Sequence, residues 1–456
     1  MKGRLIALVL NFIMKLKQQL NLFSFTMIVV GLVIGMGIFR TAATAAKNAI
    51  EPSVYFTAWF LGGFIALCGA LTYAEIGSRM PVTGGFYKVF SYAYHPSIAF
   101  SVNCVILISN AASVGGVAMI GTGYLFKLFP QYHFTDLHTA IISSLAVLFF
   151  YGINLMGLRM SSLAQNILML IKIGMLLLLI ACLFSFSDYS LQESIQVMSN
   201  ATPQLSWIQS LGVSLIAVSF TYGGYQQTIN FGNEVKNPSK NLPKGIFYGI
   251  AIIIILYLLV TYSYYAIIGF NEIKTENEIA FVLINKVFGS TGANIFSFLL
   301  FIGVLAYVNA LLMSNPRVMY AMGDEGSLPK IFTKQNKKTE VLTVALTAFA
   351  ALCVIILFFA ETFERILNFS IFLDCFGMIA SASAVFILRK RTKKLENTGI
   401  YKMKLYPYLT IIFIAAYLFV GISISMQTPN IAITGTLVLL GFILIYFLFM
   451  NKKKSH

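Results

Sequence analysis

The sequence predicts an all-α integral membrane protein with twelve transmembrane helices. Three observations support this fold class. Of the 456 residues, 58% are hydrophobic and 11% are charged, whereas soluble domains usually carry about 25% charged residues. The hydrophobic residues form long runs, and a helix that spans a membrane needs ~20 mostly apolar residues. The basic residues gather in alternate loops between these runs.

Twelve apolar runs give the predicted spans, which we number 1 to 12 along the chain. They cover residues 22–47, 53–79, 97–127, 137–157, 162–186, 207–232, 243–269, 291–322, 341–360, 364–388, 405–425 and 431–450. Segment 1–20 has a basic, apolar, basic pattern similar to a signal peptide, but no small-residue cleavage site precedes Lys15 and Lys17. We therefore predict a short interfacial helix there, with Met1 and Met14 both open as the natural start.

The distribution of basic residues predicts the orientation of the spans. With the N-terminus inside, 25 of the 32 Lys and Arg residues fall in cytoplasmic segments and six fall in outer ones. The remaining one, Lys172, lies within span 5. This is the positive-inside bias, and it predicts a multi-pass protein of the cell membrane with both termini cytoplasmic. The net charge of +16 is therefore explained by membrane topology. We expect the lipid bilayer to be a partner and nucleic acid not to be one.

Enzymes, channels and ATP-driven pumps lack support in the sequence. The five cysteines lie singly, and the four histidines fall outside the apolar runs or at their edges, so no metal site is predicted. No HExxH pattern and no GxxxxGK[ST] phosphate-binding loop occurs, and no cofactor is predicted. A membrane-embedded enzyme remains the alternative from another class.

Two spans contain glycine clusters at mid-membrane depth. Gly35 in "GLVIGMGIF" (31–39) lies 13 residues from the start of span 1, which is ~20 Å along a helix. Gly223 and Gly224 lie 16 and 17 residues from Trp207 at the start of span 6, or ~24 Å along it. Glycine weakens a helix, so both spans are predicted to break inside the bilayer.

A helix break in lipid is tolerable only where the freed peptide groups face a cavity or a ligand. Glycines in membrane helices also serve close packing, and Gly31 and Gly35 form a GxxxG pair. Two breaks five spans apart, however, indicate a transporter binding site formed by two corresponding halves.

Four segments resemble the amino acid–polyamine–organocation superfamily of transporters, closest to the branch of L-type amino acid exchangers and their bacterial relatives. They are "GLVIGMGIF" (31–39), "LTYAEIGSRMPVTGGFYKVFSYAY" (71–94), "FTYGGYQQTINFGNEVKNPSKNLPKGI" (220–246) and "NPRVMYAMGDEGSLPK" (315–330). The resemblance implies a five-plus-five inverted repeat of the LeuT type. The implied divisions are a cytoplasmic segment 1–20, repeats at 21–186 and 207–388, two further helices at 405–450, and a cytoplasmic tail at 451–456.

The resemblance also implies how a substrate is bound at the two breaks. Backbone N–H groups of Met36, Gly37 and Ile38 would bind an α-carboxylate, since a helix N-terminus favours an anion. Carbonyls near Val33, Ile34, Phe220, Thr221 and Gly223 would bind an α-ammonium, and Phe220 would cap the site on its outer side. Met36 and Tyr225 depart from the family pattern, which leaves the preferred side chain open.

Four charged residues in or near the spans are candidate functional groups. Lys172 lies ~16 Å along span 5, too deep for easy snorkelling. Relatives carry a lysine in this helix where sodium-coupled members of the fold hold sodium, so we expect it to act as a coupling or structural cation. A lysine that faces a water-filled crevice is the alternative.

The other three charged candidates have less specific predicted roles. Glu75 is expected to act as a gate or loop anchor. Asp374 in span 10 is expected to titrate, to pair with a polar group, or to contact a substrate cation. Arg40 is expected either to line the outer vestibule or to lie on a solvated helix face.

These observations together predict a secondary active transporter of amino acids, a small-molecule substrate, that works by alternating access. Sodium-independent exchange of neutral amino acids is the first hypothesis, and proton-coupled symport of amino acids or polyamines is the alternative. The sequence does not indicate an accessory subunit or an oligomeric state.

Overall fold

The structure is a computed structural model that describes residues 18–35, 37–129, 131–185, 206–276, 278–359, 363–393 and 400–450. Within these ranges the chain is predominantly helical, and extended backbone pairing is confined to two isolated bridges. The predicted interfacial helix and the tail 451–456 lie outside the described residues, apart from the end of the former at 18–20.

Each of the twelve predicted spans coincides with a helix. The bounds are Leu22–Val33 (span 1a) and Gly37–Asn48 (span 1b), Pro52–Arg79 (2), Pro96–Phe126 (3), Asp136–Leu155 (4), Leu158–Ala181 (5), Trp207–Tyr222 (6), Pro238–Ile268 (7), Ile279–Asp324 (8), Thr343–Phe359 (9), Phe363–Arg391 (10), Tyr408–Gln427 (11) and Pro429–Ile445 (12). Ten of them are long and apolar enough to cross a membrane. Spans 6 and 9 are shorter, at 16 and 17 residues.

The start of span 8 differs most from its predicted boundary, followed by the end of span 6, whose helix stops at Tyr222 where 232 was predicted. The helical segment of span 8 begins at Ile279, 12 residues before the predicted start at 291. Gly289, with φ +67°, interrupts the helical backbone between the two positions. The predicted span corresponds to the helix after this kink, and the preceding turns contain Asn285 and Lys286, which weaken the apolar pattern.

Local sequence sets several helix starts. Spans 2, 3, 7 and 12 begin with a proline, which has no N–H to leave unpaired in the first turn. Span 6 begins with a capping box in which the Ser206 side chain accepts from the Gln209 amide and the Gln209 side chain accepts from the Ser206 amide. These caps fix where each span enters the bilayer.

Several helices present apolar side chains outward, as a membrane protein must. Ile433, Leu437, Leu440 and Leu444 of span 12 follow helical spacing and are each 53–61% exposed. Leu163, Ile167 and Leu170 give span 5 a similar stripe. Such contiguous apolar surface would favour aggregation in water, whereas lipid tails cover it at no cost. The chain is therefore a multi-pass membrane protein.

The packing of the spans is symmetric under a shift of five. Spans 1, 2 and 3 pack against their counterparts 6, 7 and 8. Span 2 contacts span 6 as span 7 contacts span 1, and span 3 contacts span 10 as span 8 contacts span 5. Spans 11 and 12 pack on the outside of this arrangement, against spans 2, 3 and 10. Because each half has an odd number of spans, the second half is inverted, which is the five-plus-five arrangement of the prediction.

Spans 1 and 6 cross at their breaks with direct backbone contact. A β-carbon at Gly224 would lie 2.0 Å from the Leu32 carbonyl oxygen, and one at Gly37 would lie 2.6 Å from Thr221 Oγ1. Gly224 also has φ +110°, a conformation that L-residues with side chains rarely adopt. Glycine is therefore required at the crossing for both space and backbone geometry.

The first prediction is that Gly224→Ala destabilises the protein. The backbone strain alone costs about 1–3 kcal/mol, and the contact with Leu32 adds to it. The matched control is Gly174→Ala in span 5, where a β-carbon meets nothing within 4 Å. Apparent melting temperatures of the purified proteins in detergent should fall for Gly224→Ala and stay equal or rise for Gly174→Ala. Equal melting temperatures for Gly224→Ala and the wild type would contradict the close crossing.

Candidate functional site

The two breaks expose backbone groups in different ways. Span 1a ends at Val33, Ile34 has φ −72° and ψ 83°, and helix resumes at Gly37. Met36, between them, lies outside the described residues. Span 6 ends at Tyr222, followed by the glycine pair and a short 3₁₀ helix over Tyr225–Asn230. The last carbonyls of spans 1a and 6 and the first amides of span 1b therefore lack helical partners.

Tyr257 of span 7 supplies a hydroxyl to both breaks. Its oxygen lies 3.4 Å from the carbonyl oxygens of Val33 and of Thr221. One hydroxyl has one proton, so it can donate to only one of these carbonyls at a time. The ring is fully buried and packs edge-on against Trp59 and at a tilt against Tyr222. This residue could not be predicted from its position in the sequence, because span 7 contains several tyrosines in an apolar run.

Lys172 contacts the carbonyl end of span 1a. Its side chain is fully buried, and its ammonium donates to the Ile34 carbonyl. The stem packs against Gly303 of span 8, whose β-carbon would lie 3.6 Å from Lys172 Cγ. No carboxylate in the described ranges pairs with this ammonium. A cation at the C-terminus of a helix is favoured by the helix dipole, and here it lies at the first break.

A polar cavity adjoins the break in span 6. Its lining residues come from spans 3, 6, 8, 10 and 11: Asn110, Ser113, Ser219, Phe220, Gly223, Gly224, Gln226, Gln227, Tyr307, Leu311, Ile371, Asp374, Met378 and Tyr417. Phe220, Gly223 and Asp374 are candidates from the sequence that meet here. The buried Gln227 Nε2 atom has no hydrogen-bond partner in the described part of the chain. The cavity thus offers amide, hydroxyl and carboxylate groups beside the freed backbone.

The remaining candidates at the breaks lie behind the cavity wall. Val33, Ile38 and Thr221 are buried, and the Thr221 hydroxyl is hydrogen-bonded to Thr41 of span 1b. The Tyr307 ring lines the cavity and would lie 3.4 Å from a β-carbon at Gly35, so this ring lies between the cavity and the first break.

Tyr225 points away from this cavity. Its ring lies edge-on to Tyr73 of span 2, with centroids 5.9 Å apart, and its hydroxyl lies 2.1 Å from where a β-carbon at Gly69 would be. Tyr225 is absent from the cavity lining described above. In this structure it therefore packs in the contact between spans 2 and 6, and its role at the substrate stays a prediction.

Glu75 joins three segments at the cytoplasmic end predicted for span 2. The buried carboxylate accepts from Arg79 Nε at 2.8 Å, from Arg389 at 2.7 Å through two nitrogens, and from the Met403 amide at 2.8 Å. It therefore links span 2 to the end of span 10 and to the segment before span 11. Arg40, by contrast, is partly exposed and lies about one turn beyond Gly37 in span 1b.

A second connection lies beyond span 6. The Leu20 amide donates to the Glu234 carbonyl at 2.9 Å, and the Lys236 amide donates to the Leu20 carbonyl at 2.8 Å. Arg317 of span 8 donates to both carboxylate oxygens of Glu234 at 2.7–3.0 Å. Burial raises the pKa of the Glu234 carboxyl, although Arg317 acts in the opposite direction. Another cavity, bordered by Asn154, Glu234 and Arg317, adjoins this pair.

Two interrupted spans that cross at mid-membrane within a five-span repeat define the LeuT-type class of membrane transporter folds. The chain belongs to the amino acid permease family, whose model matches residues 20–449, and hence to the amino acid–polyamine–organocation superfamily. The resemblance predicted from four motifs is thereby confirmed.

Curated relatives share the family at low identity. The serine/threonine exchanger SteT of Bacillus subtilis is 28% identical over 445 residues, which is 96% of this chain and 98% of the relative. Mouse solute carrier family 7 member 12 is 27% identical over 330 residues, 71% of this chain and 70% of the relative. The human large neutral amino acids transporter small subunit 2 is 22% identical over 438 residues, 95% of this chain and 80% of the relative. These relatives are named as transporters or solute carriers.

The second prediction concerns the shared hydroxyl. Tyr257→Phe keeps the ring but leaves the Val33 and Thr221 carbonyls without this donor, which should cost about 1 kcal/mol of stability. Tyr222→Phe is the matched control, because the buried Tyr222 hydroxyl next to it has no partner among the described residues. Apparent melting temperature and initial uptake should both fall for Tyr257→Phe and stay close to wild type for Tyr222→Phe. The opposite order would show that the hydroxyl does not hold the breaks.

Proposed function

We propose that this protein is a secondary active transporter that exchanges neutral amino acids across the cell membrane without sodium. The observation that supports it most is the crossing of spans 1 and 6, where Lys172 donates to the freed Ile34 carbonyl. Family membership supports transport of amino acids in general. The proposal goes further than family membership on three points, which are exchange, neutral substrates and independence from sodium.

The substrate is proposed to bind between the breaks as a zwitterion. The amides of Met36, Gly37 and Ile38 would bind its carboxylate at the start of span 1b, where the helix dipole favours an anion. Carbonyls from the end of span 6, at Phe220 and Gly223, would bind its ammonium from the cavity side. The Tyr257 hydroxyl lies 3.4 Å from both the Val33 and the Thr221 carbonyl and can donate to one of them at a time, so full access of the substrate to both carbonyls would require the hydroxyl to move.

Sodium independence rests on the ammonium of Lys172. A sodium ion at the end of span 1a would be held by the same backbone oxygens that the lysine contacts. A sodium ion and the lysine ammonium cannot occupy the same position. The ammonium belongs to span 5, so it is always present near this position. Its contact also ties span 1a to span 5, so release of this contact would allow span 1a to move relative to span 5.

Exchange of neutral amino acids is supported by the names of two relatives, a serine/threonine exchanger and a large neutral amino acids transporter subunit. Proton-coupled symport is the second candidate, because Asp374 is a carboxylate in the cavity without a cationic partner in the described ranges. In both cases we propose repeats at 21–186 and 207–388, an additional pair of helices at 405–450, and cytoplasmic termini.

The third prediction tests the transport mode. Proteoliposomes containing the purified protein should take up labelled neutral amino acids, and preloading with unlabelled amino acid should raise the initial rate at least severalfold. Choline in place of sodium should leave the rate unchanged. Collapse of uptake without sodium would contradict the role of Lys172, and uptake driven by a pH gradient but insensitive to preloading would favour symport.

The fourth prediction separates the ammonium from the packing of its stem. Lys172→Met keeps an unbranched stem beside Gly303 but removes the charge, and Lys172→Ala removes both. Initial uptake should fall at least tenfold in both variants, while substrate-induced thermal stabilisation should fall less. Lys286→Ala is the control, because that lysine forms a partly exposed pair with Glu272, which contributes little. Normal transport by Lys172→Met would mean that the charge is merely tolerated.

A further inference from the structure

Spans 5 and 10 occupy corresponding positions in the two halves, and each brings one charge to a break. Lys172 on span 5 contacts the end of span 1a. Asp374 on span 10 lines the cavity at the end of span 6, together with Ser219, Phe220 and Gly223. The two charges have opposite signs. The first break therefore already has its cation, whereas among the described residues the second break has an anion without a paired cation.

The contacts of Asp374 leave its charge largely uncompensated. Its Oδ1 atom accepts a hydrogen bond from the Ser109 hydroxyl at 3.0 Å. No lysine or arginine in the described part of the chain forms an ion pair with it, and Oδ2 has no hydrogen-bond partner there. The side chain is partly exposed, and it lines the cavity. One oxygen is therefore available to a group that enters the cavity.

The helix end beside Asp374 adds to the negative potential. Span 6 ends at Tyr222, and its last turn contains Ser219 and Phe220, which line the same cavity. The C-terminus of a helix carries roughly half a negative charge. A carboxylate and a helix C-terminus at one cavity both favour a cation. When no cation is bound, these two negative groups repel each other. A single carboxylate is a poor metal site, and no group of three or more metal-binding side chains occurs in the described residues.

We propose that Asp374 binds a cationic nitrogen of the transported substrate, with the ammonium seated between its free oxygen and the end of span 6. This deepens the proposed function and depends on it, since it adds a side-chain carboxylate to a site otherwise formed by backbone. The ammonium has two possible sources on an amino acid, the α-position and the end of the side chain. In the second case the protein favours amino acids that carry an amine on the side chain, and cationic amino acids take the place of neutral ones in the proposed function.

The test uses three ligands of equal chain length as competitors of labelled substrate in proteoliposomes. Norvaline has an α-ammonium, ornithine has an α-ammonium and a side-chain ammonium, and 2-hydroxypentanoate has no cationic nitrogen. Inhibition constants are measured for wild type, Asp374→Asn and Asp374→Leu. Asp374→Asn keeps the shape of the side chain and removes its charge.

The two sources give different patterns of change. If the α-ammonium binds Asp374, the inhibition constants of norvaline and ornithine rise alike in the variants, roughly tenfold or more. The inhibition constant of 2-hydroxypentanoate stays unchanged. If the side-chain ammonium binds Asp374, only the inhibition constant of ornithine rises by that factor, and the preference for ornithine over norvaline disappears. Either pattern supports the proposal, because a loss of folded protein would lower all signals without changing the ratios between ligands.

Two results would overturn the proposal. One is that the ratios among the three ligands are the same in wild type and Asp374→Asn. The other is that Asp374→Asn keeps all inhibition constants but loses the dependence of uptake on a pH gradient, which would make Asp374 a proton carrier. Ser383→Ala serves as control, since its hydroxyl bonds to Ile379 within span 10 and does not line the cavity. Absence of any amino acid transport by wild type would instead overturn the proposed function itself.

Discussion

A helix that is interrupted inside a lipid bilayer must find partners for its freed peptide groups within the protein. Each unpaired group costs several kcal/mol in the hydrocarbon core. Here Lys172 donates to the Ile34 carbonyl, and the Gly224 amide donates to the Gln226 side chain. The two breaks also cross closely, with Gly37 against Thr221 and Gly224 against Leu32. The rest of the site follows from this contact, because whatever else satisfies the breaks must approach from the neighbouring spans.

Side chains from spans 5, 7 and 10 surround the crossing. Lys172 donates to the end of span 1a, and the Tyr257 hydroxyl lies within 3.4 Å of a carbonyl from each break. Asp374 lines the cavity at the end of span 6. The breaks are thus held by groups that can exchange partners, whereas Glu75 and Glu234 hold other parts of the bundle through arginine pairs. A substrate that replaces one of these partners can couple its binding to movement of the spans.

Apolar runs and glycine clusters in the sequence predicted the twelve spans and both breaks, because membrane helices are long and glycine is rarely placed at their centres without a reason. The start of span 8 was missed, since the kink at Gly289 adds helix outside the apolar run. Tyr257 and the cavity lining other than Phe220, Gly223 and Asp374 could not be predicted. Their roles depend on which faces of spans 3, 7, 8 and 10 turn inward, and uniformly apolar helices carry no periodic signal for this. Tyr225 packs on span 2, and its role at the substrate stays a prediction.

The most direct test of the account is to locate a bound amino acid by electron cryo-microscopy of the protein in lipid nanodiscs with a transported substrate. The account predicts ligand density at the crossing of spans 1 and 6, in contact with the start of span 1b and with Phe220, Gly223 and Asp374. Density in the other cavity, beside Asn154, Glu234 and Arg317, with the crossing unchanged, would contradict it.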